Sequence, residues 1–271
     1  MVAQLAATFL QPRFAMNAQP SSTTSLNDVA LDPVLDALRA SVPAPRFNEA
    51  ALFAEAFYSR MSPEEYRIRD PQAWAALARG FLQFARARRP GQPAIRIFNP
   101  TLEQHGWESP PTVIQIANDD MPFLVDSVSM VLADADIGIH VLGHPVMAVR
   151  RDPGGNVLSF GEGQAESLMH IEIDRQSGPS DFARLERDIL ATLDDVRLCV
   201  QDWGAMRERM HQSADALAQQ TTPMSDERIR EACDFLRWAS DDHFILLGYR
   251  EYEVVEAAPT SAPAGHARCV A

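Results

Sequence analysis

The sequence contains no lysine, because all 24 of its basic residues are arginine, against 37 acidic residues in 271. The absence excludes a Schiff-base nucleophile, a phosphate-loop lysine and a kinase-type strand lysine. The net charge of −13 also argues against a nucleic-acid partner, since neutralising phosphates needs a concentrated basic face. The densest basic run, Arg86, Arg88 and Arg89, is expected to complement the dipole of a helix that ends there.

Cysteine and long hydrophobic runs are scarce as well. The three cysteines are an odd number without C-x-x-C spacing, which favours free thiols in a reducing compartment and hence the cytoplasm. No stretch approaches the roughly 18 apolar residues of a membrane span, so we expect no membrane association. Residues 1–16 have no basic residue ahead of their apolar part and predict no signal peptide. Met1 and Met16 remain alternative start sites.

Composition and periodicity divide the chain into five segments. A polar N-terminal stretch has too few apolar groups to offset the entropy of ordering it. Helical spacing then begins at Leu31, and β-prone residues begin at Ala94. The predicted segments are a disordered tail over 1–27, a helical segment over 28–93, an α+β domain over 94–200, a helical linker over 201–240, and, over 241–271, the first strand of a truncated following domain plus a disordered tail.

Local signals place the elements inside these segments. Asp70-Pro71 is expected to cap a helix, and Ser62-Pro63-Glu64-Glu65 reads as a capping box with proline at the first helical position. Strands close together, split by hairpins and one crossover, indicate an α+β fold with helices on one face of a mainly antiparallel sheet. Strands are predicted at 94–98, 112–116, 139–149, 157–160, 168–173 and 243–255, and helices at 31–38, 48–60, 71–85, 123–132, 182–196, 202–219 and 225–239.

Three histidines are the candidates for a metal site. His140 and His144 lie four residues apart on a predicted strand, about 13 Å between Cα atoms at ~3.3 Å per residue, too far to share one ion readily. His170 on a neighbouring strand could pair with either, but a site would also need a carboxylate. We therefore predict structural histidines and no metal site.

Other constellations also favour structural roles. Adjacent loop carboxylates such as Asp119 and Asp120 rarely acquire the two different pKa values of an acid/base pair, so we expect them to cap the following helix. Asp241-Asp242-His243 receives the same interpretation. The chain has no G-x-S-x-G and no G-x-G-x-x-G, and the glycines near 154–163 read as a hairpin. The sequence therefore predicts no catalytic residue and no cofactor-binding residue in this chain.

Five runs resemble, in order, the N-terminal region of the large bacterial NAD-dependent glutamate dehydrogenases. They are RIFNPTLEQHGWESP (96–110), NDDMPFLVDSV (118–128), HPVMAVRRD (144–152), SLMHIEIDRQS (167–177) and DDHFILLGYREYE (241–253). The resemblance extends over about residues 30–255. It implies a chain several times longer, whose NAD-binding dehydrogenase core lies far C-terminal to this region, so that NAD serves the parent enzyme and no family catalytic residue maps here.

The resemblance also implies that 94–200 is an ACT-like (ferredoxin-like) domain, a module that often binds amino acids or mediates subunit contacts. Asp120-Met121-Pro122-Phe123-Leu124 resembles the ACT loop D-x-P-G-L, with Phe123 in place of the usual glycine. Glycine lets an effector approach the backbone, whereas phenylalanine fills the space. Asp119, Asp120, Met121 and Phe123 are therefore a candidate effector or interface loop, and Phe123 is expected in the core.

The leading hypothesis is a non-catalytic regulatory or assembly segment of an NAD-dependent glutamate dehydrogenase, whose full-length enzyme deaminates glutamate to 2-oxoglutarate and ammonia. Its expected partners are the remainder of the dehydrogenase, other subunits of a homo-oligomer and an amino-acid effector. The first alternative is a stand-alone amino-acid-binding ACT module. A metal hydrolase built on His140, His144 and His170 is a weaker third.

Overall fold

The structure is a computed structural model that describes residues 26–58, 69–221, 223–254 and 267–270. The tail predicted over 1–27 lies outside this range up to residue 25, and so does the predicted capping box at 62–65. The chain divides at Val196 into two compact units. None of the helices in the described residues combines the length and the hydrophobicity that a membrane span requires.

Both units contain helices and strands. The helices are α1 (Leu26–Ser41), α2 (Phe47–Tyr58), α3 (Pro71–Ala85), α4 (Leu102–His105), α5 (Leu124–Asp134), α6 (Pro179–Gln219) and α7 (Asp226–Trp238). The strands are β1 (Ala94–Phe98), β2 (Thr112–Asp119), β3 (Ile139–Gly143), β4 (Val146–Arg151), β5 (Val157–Phe160), β6 (Gln164–Ile173), β7 (Glu251–Val254) and β8 (Ala267–Val270). The predicted cap of α3 is confirmed, since Asp70 Oδ1 accepts a hydrogen bond from Ala73 N at 2.7 Å.

The larger unit contains a six-stranded antiparallel sheet, which confirms the α+β prediction. Its order is β1-β2-β6-β4-β5, and β3 also pairs with β6. β6 is therefore the central strand: β2 pairs with it along one edge, and β3 and β4 share the other. The edge position beside β2 belongs to β1, which comes from the N-terminal side of the domain.

Both faces of this sheet are covered. Side chains alternate along β2, so Val113, Ala117 and their β6 neighbour Leu168 face the buried cluster that also contains residues of α1, α2 and α3. The opposite face presents the isoleucines of β2 and β6, which are fully buried outside that cluster. We infer that α5 and α6 cover this second face with their buried apolar side chains. These side chains are Leu124, Val128, Leu132, Leu185, Ile189 and Leu193.

Three element predictions are wrong in part. The strand predicted over 139–149 is interrupted at His144-Pro145, where proline has no N–H for the ladder, and so becomes β3 and β4. The helices predicted over 182–196 and 202–219 are one helix, α6, because the intervening residues contain no proline and Gly204 does not end it. Of the strand predicted over 243–255, only β7 forms, because this part pairs with another strand. Its partner, β8, lies in the tail that was expected to be disordered.

The smaller unit begins in the second half of α6 and continues through α7, a short turn at Ala239–His243 and the β7-β8 pair. α7 packs on α6 through Cys233, whose Sγ donates to Ala214 O at 3.3 Å. Arg209 of α6 donates to the Tyr249 hydroxyl at 2.7 Å and pairs with Glu251 at the start of β7.

Candidate functional site

Asp119 of the predicted loop is held by an arginine and caps no helix. Its carboxylate accepts hydrogen bonds from Arg88 Nη2 at 2.8 Å and from Gly91 N at 3.2 Å. The following helix has no side-chain cap at its N-terminus. The expected capping role is therefore wrong, because β2 ends at Asp119 and directs its carboxylate toward Arg88.

Phe123 is the residue that precedes α5, and it does not belong to the core. Its backbone is left-handed (φ 71°, ψ 1°), and 41% of its surface is exposed. The buried stripe of α5 begins one residue later, at Leu124. The prediction of a core phenylalanine is wrong for this reason, and the positive φ explains why glycine suits this place in the ACT pattern.

Asp120 lies beside His144, which precedes Pro145 between β3 and β4. Desolvation by the surrounding protein raises the pKa of Asp120, and the charge of His144 opposes that shift. His144 Nε2 is 2.6 Å from the Ser167 hydroxyl, and Asp120 N donates to Ala165 O of β6 at 3.0 Å. The loop is thus joined to the centre of the sheet.

A cavity of about 260 Å³ lies next to this loop. The first turn of α5 contributes Val125 to its wall, and the break between β3 and β4 contributes His144. Most of its lining is apolar or aromatic, as in sites for small organic ligands. The lining residues are Ala56, Phe57, Trp74, Val125, Val141, Leu142, Gly143, His144, Pro145 and His170.

His170, in the wall of the cavity, belongs to a buried polar network. Arg96 donates to Gln115 Oε1 through Nε at 2.7 Å, which directs the Gln115 amide nitrogen to His170 Nδ1 at 3.0 Å. His170 Nε2 can then donate to Glu172 Oε1 at 3.1 Å. Burial lowers the pKa of His170 and so favours the neutral ring, and the Gln115 amide that donates to Nδ1 leaves the proton on Nε2.

Arg69 completes this network through Glu172. Its Nη2 donates to Glu172 Oε2 at 2.6 Å, and its guanidinium lies 4.8 Å from the ring of Trp74 and 5.0 Å from that of Trp107. Burial opposes ionisation of Glu172, but the hydrogen bond from His170 and the charge of Arg69 outweigh it and lower the pKa. The carboxylate therefore stays charged inside the protein.

Residues 53–189, half of the chain, match the family model for the glutamate dehydrogenase ACT1 domain. The chain belongs to this family. The matched range contains the whole six-stranded sheet, the candidate loop and the cavity, so all of them are parts of the ACT1 domain.

Relatives of this ACT1 chain include proteins named NAD-specific glutamate dehydrogenase. The one from Pseudomonas aeruginosa is 35% identical over 225 residues, covering 78% of this chain and 13% of the relative. The one from Halomonas elongata is 33% identical over 234 residues, covering 83% and 14%. A Mycobacterium tuberculosis relative is 26% identical over 151 residues. The chain thus spans about one seventh of the length of the first two relatives.

A second buried network in the ACT1 domain corrects one arginine prediction. Arg88 does not merely complement a helix dipole, because its side chain is 2% exposed and pairs with Glu166 at 2.7 Å as well as with Asp119. Arg151 reaches the same Glu166 at 2.7 Å and also donates to Ala85 O at the end of α3. Burial would lower the pKa of Arg88, but the two carboxylates outweigh it and raise the pKa. No local pattern indicated these contacts.

The predicted histidine sites remain apart. His140 lies 2.8 Å from Asp174 at the surface, whereas His144 and His170 have the partners described above. The described residues include no group of three or more side chains suited to a metal ion. In the second acidic pair, the backbone of Asp242 is left-handed (φ 60°), and its Oδ1 lies 4.0 Å from Arg207 Nη1. The predicted capping role is therefore wrong there too.

Proposed function

We propose that this chain is the N-terminal, non-catalytic regulatory or assembly segment of an NAD-dependent glutamate dehydrogenase. The ACT1 match over residues 53–189 carries the proposal, and the identity of 33–35% to NAD-specific glutamate dehydrogenases supports it. The full-length enzyme would oxidise glutamate to 2-oxoglutarate and ammonia with NAD as the acceptor. We assign the segment to the cytoplasm as part of the same proposal.

Neither the reaction nor NAD fits the residues of this segment. The chain has no lysine, and the family resemblance associates substrate binding with lysines. Gly155 and Gly161 have positive φ, but both lie in turns between strands and do not open a helix, so they do not form the dinucleotide-binding turn. NAD and the catalytic groups would thus belong to the remainder of the enzyme.

The geometry of the loop favours a subunit contact over an effector at this position. Phe123 presents 41% of its surface to solvent immediately before α5, and Met130 on the same helix is 64% exposed. Exposed apolar side chains in an oligomer are candidates for burial against another subunit. We infer that Phe123 contacts a neighbouring subunit of the dehydrogenase.

The experiment compares the parent dehydrogenase with a form lacking this segment and with Phe123→Ser. We expect deletion to change the oligomeric state, measured by sedimentation velocity, or the dependence of glutamate-driven NAD reduction on added amino acids. Phe123→Ser should weaken assembly, whereas the control Leu158→Ser, an exposed leucine at a different place in the domain, should not. Unchanged assembly and unchanged kinetics after deletion would contradict the proposal.

The cavity favours one alternative, a stand-alone amino-acid-binding module. Its volume of about 260 Å³ and its two histidines suit a small ligand. Titration calorimetry of this chain with the twenty amino acids tests it. Val125→Trp should fill the cavity and abolish binding, while Val146→Trp, at an exposed position, is the matched control. This alternative would be the better one if the chain binds an amino acid tightly while deletion of the segment changes neither the assembly nor the kinetics of the parent dehydrogenase.

A further inference from the structure

The cavity beside the candidate loop is lined by the end of β3 and by the turn into β4. Its lining includes the five consecutive residues from Val141 to Pro145, but none of the loop residues 119–123. Side chains alternate between the two faces of a strand, so consecutive residues share one cavity where the backbone itself forms part of the wall. Among the described strands, β3 pairs only with β6. This wall therefore offers backbone N–H and C=O groups of an open strand edge to a small molecule.

Aromatic rings form a second wall of the cavity. Phe57 of α2, Trp74 of α3 and His170 of β6 belong to it, and the rings of Phe57 and His170 meet edge to face at 5.6 Å between centroids. Aromatic rings pack favourably against a further ring in offset or edge-to-face arrangements. A cavity of roughly 150 Å³ binds benzene, so a cavity of about 260 Å³ has room for a ring with a small substituent.

None of the residues that line the cavity is permanently charged. His170 uses both ring nitrogens within the protein, since the Gln115 amide lies 3.0 Å from Nδ1 and the Glu172 carboxylate 3.1 Å from Nε2. Burial also favours the neutral form of this ring by lowering its pKa. The charge of His144 acts on the carboxyl group of Asp120, so an ionised His144 has a counter-charge beside it. The lining therefore supplies hydrogen-bonding groups without an excess charge of either sign.

Buried charges of both signs lie behind these walls and neutralise each other. Glu172, whose side chain is 1% exposed, is held by Arg69 at 2.6 Å. The Arg69 guanidinium also lies 4.8 Å from the ring of Trp74. Neither group lines the cavity, and neither lacks a counter-charge. A carboxylate or an ammonium group on a ligand would therefore be buried without an ion-pair partner, which is strongly unfavourable.

We propose that the cavity binds an uncharged aromatic molecule that carries one hydrogen-bonding group, of which benzamide is a simple representative. The rings of Phe57, Trp74 and His170 pack against the ring of the ligand, and the open edge of β3 bonds its amide as it would bond a peptide group. A free amino acid fits poorly, because its ammonium and carboxylate groups lose water and gain no ion pair. The inference uses residues of the ACT1 domain alone, so it stands independently of the proposed function.

The test titrates this chain, labelled with ¹⁵N in its histidine rings, with four probes of similar size. Benzamide is uncharged, benzoate and benzylammonium carry one charge each, and L-leucine represents the free amino acids. We expect a dissociation constant for benzamide at least tenfold lower than for the other three. Benzamide should shift the ring signals of His144 and His170, which line the cavity, and leave those of His140, an exposed surface residue, unchanged.

Two substitutions that fill the cavity provide the second part of the test. Val125→Trp and Ala56→Leu both place a larger side chain in the lining, and each should weaken benzamide binding at least tenfold. Val146→Trp, at an exposed position, is the matched control and should bind as the unchanged chain does. Circular dichroism identifies the variants that remain folded.

Several results would overturn the proposal. Benzoate or benzylammonium binding as tightly as benzamide would show that the charge of the ligand does not decide binding. L-Leucine binding more tightly than benzamide would favour the amino-acid-binding module instead. The cavity would not be the site if the His170 signals do not shift at the solubility limit of benzamide, or if a folded cavity-filling variant binds benzamide as tightly as the unchanged chain.

Discussion

Glu166 is expected to be the most sensitive charged position in the ACT1 domain. Its side chain is 2% exposed and accepts from Arg88 and Arg151, which are 2% and 5% exposed. Glu166→Gln keeps the shape and removes the charge, which leaves two buried cations, of which Arg88 retains the partly exposed Asp119 as a partner. Breaking a buried ion pair by removing one partner costs about 3–5 kcal/mol. For a unit of this size, that cost corresponds to a fall of roughly 6–20 °C in Tm.

The assay is urea unfolding followed by circular dichroism, with calorimetry for Tm. The matched control is Glu162→Gln, because Glu162 pairs with Arg150 at the surface, where their side chains are 60% and 56% exposed. Exposed pairs contribute about 0–1 kcal/mol. If Glu166→Gln loses no more stability than Glu162→Gln, the buried network is not a source of stability and the reasoning fails.

Three further predictions concern His170, Phe123 and metal. Burial lowers the pKa of His170, so its contribution to stability is complete above about pH 6.5 and falls as the pH decreases. The free energy of unfolding then falls by at most about 1.4 kcal/mol per pH unit. In urea titrations between pH 7 and 5, His170→Gln should show a smaller slope. Phe123→Gly should change the free energy of unfolding by less than about 1 kcal/mol, since relief of the positive φ offsets the added freedom of the unfolded chain. Dialysis against a chelator should leave Tm unchanged.

Each of these has a clear contrary result. If the free energy of unfolding of His170→Gln depends on pH as steeply as that of the unchanged chain, other groups cause the effect. Glu172 is a separate contributor, because its lowered pKa makes it act at lower pH. A loss of 3 kcal/mol or more in Phe123→Gly would indicate a buried ring, as the sequence first suggested. A fall of several degrees after chelation, with stoichiometric zinc by elemental analysis, would restore the histidine metal site.

Local signals were sufficient for most of the fold. Asp70-Pro71 specifies the start of α3 through interactions within four residues, and the stripe from Leu124 onward specifies the buried face of α5. The His144-Pro145 break was also visible in principle, since proline interrupts a ladder. The sheet order could not be predicted in this way, because β6, the last strand of the sheet in the chain, pairs with β2, β3 and β4 and not with its sequence neighbour β5.

Ion pairs between residues far apart in the chain could not be predicted from the local sequence. Arg88 and Glu166 are 78 residues apart, and nothing in their local sequence distinguishes them from the other arginines and acids. Asp119 was interpreted as a cap because it stands in a loop that leads into a helix, and nothing in the local sequence indicated Arg88 as its partner. Phe123 had one available signal, the glycine of the ACT pattern, but the pattern does not say that the position requires a positive φ.

The central place of β6 has a consequence for synthesis of the protein. β6 is the last strand of the six-stranded sheet in the chain, yet it pairs with β2, β3 and β4. The aromatic residues of α2 and α3, among them Phe53, Phe57 and Phe81, emerge from the ribosome about a hundred residues before the strand that completes the sheet beneath them. Non-local contacts of this kind form slowly, because loop closure comes before the favourable packing. The nascent N-terminal helices therefore keep an apolar face exposed until translation passes Ile173, and exposed apolar surface of this kind makes a nascent chain prone to aggregation.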